Sequence, residues 1–183
     1  MCAWQTVAVQ PAVAQKKARL GSADELAAQI KDELADVWLP RIYREKIMPM
    51  RTRSHALPAA KAGTEVSVQH TLLGVELKVG RKRLSCPDLA TARYLAVFAR
   101  LGVAAVAVPY DITRTSPLAD ELESSWQHML LLIEHRASER TAALRARLRR
   151  TLIGAARGEV EEAGAGAAVP QFNQNTKQRL RRA

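Results

Sequence analysis

The residues with the most chemistry to offer are arginines. Between Arg136 and Arg150 six of them stand against one acid, Glu139, and Arg145, Arg147, Arg149 and Arg150 fall within a helical pattern. A second group, Arg81, Lys82 and Arg83, follows Gly80 in a basic turn. Arg114 stands alone downstream, and Lys177, Arg179, Arg181 and Arg182 fill an acid-free tail. A guanidinium is a planar fork of donors that bonds phosphate bidentately, so this density points to a polyanion. The competing reading is a solvated face, with the same side chains lying over Leu144 and Leu148. Six arginines within fifteen residues, together with a basic tail, favour phosphate contact, and RNA among polyanions.

Acidic residues offer a second chemistry. Glu65 is followed, ten residues intervening, by Glu76-Leu77-Lys78. That spacing resembles the PD-(D/E)xK nucleases, where two acids on adjacent strands hold Mg²⁺ and a lysine stabilises charge at the scissile phosphate. Glu25 or Glu33 on an upstream helix stands where such enzymes often supply another acid. Thr64-Glu65 replaces the Pro-Asp of that pattern, however, and Glu-x-Lys in an alternating strand is equally a polar strand face. Pro109-Tyr110 also resembles the strand end of RNA-binding RAP domains, which share a similar core.

Other sites are thin. His55, His70, His128 and His135 are scattered, and Cys2 and Cys86 have neither a CxxC partner nor a histidine pair at ligand spacing. Ser124-Ser125 lacks a nucleophile-elbow context, and no phosphate-binding loop occurs. No metal site, cofactor or small-molecule substrate is expected; Mg²⁺ belongs to the nuclease alternative alone. No apolar run reaches the length of a membrane span, and the arginine helix lacks large apolar anchors such as Trp or Phe that a membrane-surface module would need, so no membrane partner is expected.

The chain has 183 residues and a formal charge of +10, with 4% aromatics. A field of that size holds a protein near nucleic acid, while few aromatics leave phosphate contacts as the main source of affinity. Before Asp24 there is no acid, and Lys16, Lys17 and Arg19 are basic, so residues 1–23 read either as a mitochondrial targeting segment or as an unstructured tail.

Further on, Ser22 is set to cap a helix carrying Leu26, Ile30, Leu34, Val37 and Trp38 on one stripe, which Pro40 ends or bends. Arg41–Pro58 looks like an extended arm, so 24–63 forms a helical extension and arm. Val66 and Val68, then Val75, Leu77 and Val79, alternate with polar residues as strands do. Pro87-Asp88 opens a helix that Gly102 stops, and Val103–Val108 follows as an apolar strand. Strand–helix–strand with short connections predicts a crossover and parallel pairing. Residues 117–135 suit a helix, although Met129–Ile133 could be a central strand. Ser138 then caps a helix that Gly154 and Gly158 break, leaving Glu159–Ala163 as a last short strand. The core is therefore α/β over 64–163, followed by a linker and basic tail over 164–183.

In this order several residues resemble the ribosomal small-subunit protein ten family, above all its mitochondrial forms and their large-subunit relative. Val75-Glu76-Leu77-Lys78 echoes the family's first strand, and Phe98-Ala99-Arg100-Leu101-Gly102 its Gly-stopped helix. Pro109 with Thr113-Arg114 matches its Pro to Thr-Arg passage. His128 before Met129–Ile133, and Ser138-Glu139-Arg140-Thr141, keep its later order; Gly154–Gly158 before Val160 resembles the turn into its last strand. Gly80-Arg81-Lys82 replaces the family's aromatic-Asp pair, and Thr115–Gln127 is a shortened hairpin. The resemblance implies a ferredoxin-like βαβ-βαβ core and no catalysis. It implies a constituent of a mitochondrial ribosome, with ribosomal RNA and neighbouring ribosomal proteins as partners and with the arm and tail ordered on assembly.

Overall fold

In the computed structural model, which describes residues 22–58 and 64–167, helix α1 (Ala23–Leu34) begins with a complete capping box. Ser22 Oγ accepts from Glu25 N at 3.2 Å and the Glu25 carboxylate accepts from Ser22 N at 2.8 Å, so two otherwise orphaned donors are satisfied. The expected targeting segment and the basic tail lie outside the described residues.

The arm contains elements that its composition did not announce. Pro40 stands at the start of a short helix α2 (Leu39–Ile42) rather than at the end of α1, and a single π turn (Tyr43–Ile47) continues it. The fixed φ of proline suits a first helical turn, where no donor is lost. Strand β1 (Thr52–Ala56) follows, and Leu39, Ile42, Tyr43, Ile47 and Leu57 are buried. One apolar cluster extends from Leu26 to Val160, so extension and arm share a core with the rest.

The protein is mixed α/β with two small antiparallel sheets. Strands β2 (Val66–Thr71), β3 (Gly74–Val79) and β4 (Lys82–Cys86) form a meander. The turn is only Gly80-Arg81, and Lys82 and Arg83 belong to β4. Leu77 and Val79 turn one face inward, and Val66, Val68, Val75 and Leu84 pack against the same cluster. Helix α3 (Leu89–Leu101) is capped by Asp88, which accepts from Thr91 N at 2.7 Å, and closes on Gly102 at φ 80°. That left-handed cap is glycine's natural place.

Strand β5 (Ala105–Pro109) corrects the expected parallel pairing: it runs antiparallel to β1, Ser54 opposite Ala107. The reason is local. Ala107 points its N–H and C=O away from β1, where no further strand stands among the described residues. Tyr43 Oη accepts from Ala107 N at 2.9 Å and donates to Gly164 O at 2.7 Å, while Tyr94 Oη donates to Ala107 O at 2.6 Å. Two tyrosines thus complete the inner edge of β5. Burial pushes both phenols above their ordinary range, Tyr94 furthest. Phe98 packs between them at ring distances of 5.3 and 5.2 Å.

Helix α4 (Ile112–Arg136) runs unbroken through 117–135, so Met129–Ile133 is helix and not strand. Leu118, Leu122, Trp126, Met129 and Ile133 make one buried stripe at spacings of three and four. Helix α5 (Ala142–Ala163) is capped by Thr141 rather than Ser138 and absorbs both Gly154 and Gly158, as well as the expected strand Glu159–Ala163. Each interior glycine costs about 1 kcal/mol of helix propensity. Burial of Leu148, Leu152, Ala156 and Val160 on one continuous stripe outweighs that cost.

Candidate nucleic-acid interface

Helix α5 projects its arginines in several directions, and their partners divide them. Arg145 reaches Glu134 of α4 at 3.5 Å, and Arg147 reaches Asp24 of α1 at 3.5 Å. Arg136, at the end of α4, bonds Glu33 of α1 at 2.7 Å. These side chains tie helices together. Arg149 and Arg150 are exposed and make no ion pair among the described residues; Arg150 Nε only leans on its own helix, 3.3 Å from Ala146 O.

Arg149 and Arg150 border a cleft of about 700 Å³, joined by Arg157 about two turns further along the same face and by Arg100 from the end of α3. The lining holds four arginines and no acid. Between them lie Val66, Leu101, Trp126 and Ile153, from β2, α3, α4 and α5. Arg157 Nε also bonds Glu161 at 2.9 Å. Arg100 is held less tightly: its Nη1 stands 3.8 Å from Glu123, is buried, and has no hydrogen-bond partner. The Glu123 carboxylate is the charge partner of this enclosed nitrogen.

The basic turn adjoins one residue of that lining: Thr64 lines the cleft, and a Cβ placed on Gly80 would stand 3.1 Å from Thr64 Cγ2, whereas Arg81 and Lys82 do not line it. Arg83, on the polar face of the meander, is 3.5 Å from Glu76. Arg114 belongs elsewhere. It lies in the first turn of α4, 3.9 Å from Asp111, beside Met50, Arg51 and Tyr110. Twelve residues of helix, roughly 18 Å, separate it from Trp126 in the cleft. Lys177, Arg179, Arg181 and Arg182 fall outside the described residues.

The nuclease acids are not brought together. Glu65 O accepts from Gly80 N at 2.9 Å, which sets Glu65 opposite Gly80, while Glu76 stands opposite Gln69. Four ladder positions, roughly 13 Å at the strand rise, separate them. Lys78 shares the polar face with Glu76 and pairs with Ser67 and Arg83 across the ladder. Among the described residues no group of three or more His, Cys, Asp or Glu could hold a metal ion, and no helix is long and apolar enough to cross a membrane.

Sequence reasoning missed Arg100, Arg157 and the apolar floor. Arg157 was findable: it follows Arg150 by seven residues, hence on the same face, once α5 continues through Gly154. Arg51 over the Tyr110 ring, 5.1 Å from its centroid, was also missed, because the two come from separate elements. No family model, no curated protein and no solved structure matches the chain.

Proposed function

We propose that this chain is a non-catalytic RNA-binding protein whose affinity comes from arginine contacts to phosphate. In the reading that the family resemblance carries, the RNA is ribosomal and the protein is a structural constituent of a mitochondrial ribosome, beside neighbouring ribosomal proteins. The ferredoxin-like layout belongs to the same proposal; β4, α3 and β5 follow its strand–helix–strand order along the chain, with β4 and β5 in separate sheets.

The single observation that carries RNA binding is the cleft rim, where Arg149 and Arg150 extend without ion-pair partners among the described residues, next to Arg100 and Arg157. A net charge of +10 supports it from the composition side. Arg149 and Arg150, unpaired among the described residues, offer bidentate donors to phosphates at this opening. About six such contacts would make binding fall on the order of a thousandfold between about 50 and 200 mM salt.

Sedimentation of a tagged copy tests the reading. Co-migration with ribosomal subunits at moderate salt, reduced when Arg149 and Arg150 are both changed to Glu, is the expected result. A free small species at every salt concentration removes the ribosomal assignment. A flat salt dependence in binding to purified RNA removes RNA binding itself.

A further inference from the structure

We infer that the arginine cleft takes one unstacked nucleotide, with its phosphate on the guanidinium rim and its base on the apolar floor. This rests on the RNA-binding reading and narrows it: the preferred RNA is single-stranded at the point of contact.

Shape carries the first step. A flat basic surface suffices for duplex phosphates, whereas this chain builds a recess of about 700 Å³, within the range of small-ligand pockets. Its chemistry is split. Arg149, Arg150 and Arg157 stand on one helix, while Val66, Leu101 and Ile153 supply carbon and no charge. A nucleotide is divided in the same way, with a charged phosphate at one end and a planar, largely apolar face at the other. A fully hydrated phosphate would gain nothing from the floor. A purely apolar guest would leave the arginines without acceptors.

The second step is Arg100. Its Nη1 is enclosed at ion-pair distance from Glu123, 3.8 Å, while the side chain as a whole is about a quarter exposed and lines the cleft, adding a fourth cation on a second helix. Aromatic platforms are few, since Trp126 lines the cleft but is buried, so guanidinium planes are the stacking surfaces at hand.

Two positions let the cleft be filled without touching a cation. Gly154 lines it, and a Cβ placed there meets nothing within 4 Å. Ala146, two turns earlier, lines it too and is exposed. Gly154→Trp and Ala146→Trp should therefore fold, as circular dichroism would verify, and occupy the recess. Fluorescence anisotropy would follow a labelled single-stranded oligoribonucleotide and its duplex, with adenosine monophosphate and inorganic phosphate as competitors at matched ionic strength.

The expected wild-type result is a preference for the single strand of about tenfold, the discrimination one stacked base supplies. Adenosine monophosphate should compete and phosphate should not. Either tryptophan variant should lose the preference and the competition while the slope of affinity against salt stays unchanged. Strong competition by free adenosine monophosphate with no gain from oligomer context would identify a free nucleotide as the guest instead of an RNA segment, and would overturn the RNA form of the inference. Unaltered single-strand binding by both variants would overturn the cleft while leaving RNA binding standing. No salt-dependent binding of either RNA would remove both.

Discussion

The β5 hub and the arginine cleft treat polar groups in opposite ways. At the hub, Ala107 N–H and C=O and the hydroxyls of Tyr43 and Tyr94 are buried, and each has a partner at 2.6–2.9 Å. At the cleft, Arg149 and Arg150 stand exposed with no ion pair among the described residues, and Arg100 Nη1 has no hydrogen bond, only Glu123 at 3.8 Å. The hub closes its donors because an unmade buried hydrogen bond costs about 1–3 kcal/mol. The cleft leaves donors open, which makes sense where a partner supplies acceptors. Damage to the hub should therefore change stability and spare binding by the folded fraction; damage to the cleft should do the reverse.

The largest separation should come from Phe98→Ala. Phe98 is fully buried and touches both tyrosine rings, so truncation should cost about 3–5 kcal/mol in urea unfolding. RNA affinity per folded molecule should stay put. A loss of affinity equal to the loss of stability would merge the two regions into one.

Next comes the converse change, Arg149→Glu with Arg150→Glu. Removing two phosphate contacts should lower the salt slope by about 1.5–2 and cut affinity by about ten- to a hundredfold. The thermal midpoint should hardly move, because neither side chain has an ion pair to lose among the described residues. A fall in the midpoint with no change in slope would invert the assignment.

Tyr43→Phe is subtler. It removes one acceptor for Ala107 N and one donor to Gly164 O, and should cost about 1–3 kcal/mol. The same hydroxyl sets an alkaline limit. Burial raises the Tyr43 phenol above its ordinary value of 10.0, so the folded state holds this proton more tightly than the unfolded chain does. That contribution is complete below pH 10.0 and is lost as pH climbs through the raised value. Tyr94, raised further by burial, extends the decline. Melts at increasing pH should fall more steeply for the native chain than for Tyr43→Phe; parallel curves would mean that this phenol ionises as it does in the unfolded chain.

What the sequence disclosed follows how far apart the interacting residues lie. Helix α3 and the start of α1 were readable because their signals sit within consecutive residues: Ser22 with Glu25, Asp88 with Thr91, and Gly102 after Leu101; the end of α1 was not, since the helix stops at Leu34 and Val37 is exposed. Strand β1 was hidden. Thr-Arg-Ser-His-Ala has no apolar alternation, and its register is set by β5, about fifty residues later. The end of α5 was misjudged because Gly154 and Gly158 carry weak helix propensity, whereas the buried stripe that overrides it exists only once α1 and α4 pack against that helix. The arginine cluster was legible as composition, but its division was not. Which arginines meet Glu134 or Asp24 depends on the tertiary fold.

That division gives the smallest expected effect and the finest test. Arg147 and Asp24 form an exposed pair, 63% and 66% accessible, at 3.5 Å. Such pairs contribute little because water screens them and two long side chains must be held still. Arg147→Gln should therefore cost less than about 0.5 kcal/mol in urea unfolding. Its guanidinium faces α1 and takes no part in lining the cleft, so RNA affinity should change by no more than about twofold, a loss under about 0.5 kcal/mol. Arg149→Gln, two residues away with the same loss of charge, should reduce affinity several times more. If both substitutions weaken RNA binding equally, affinity answers to net charge alone, and the separation of tethering from phosphate-facing arginines has no functional meaning.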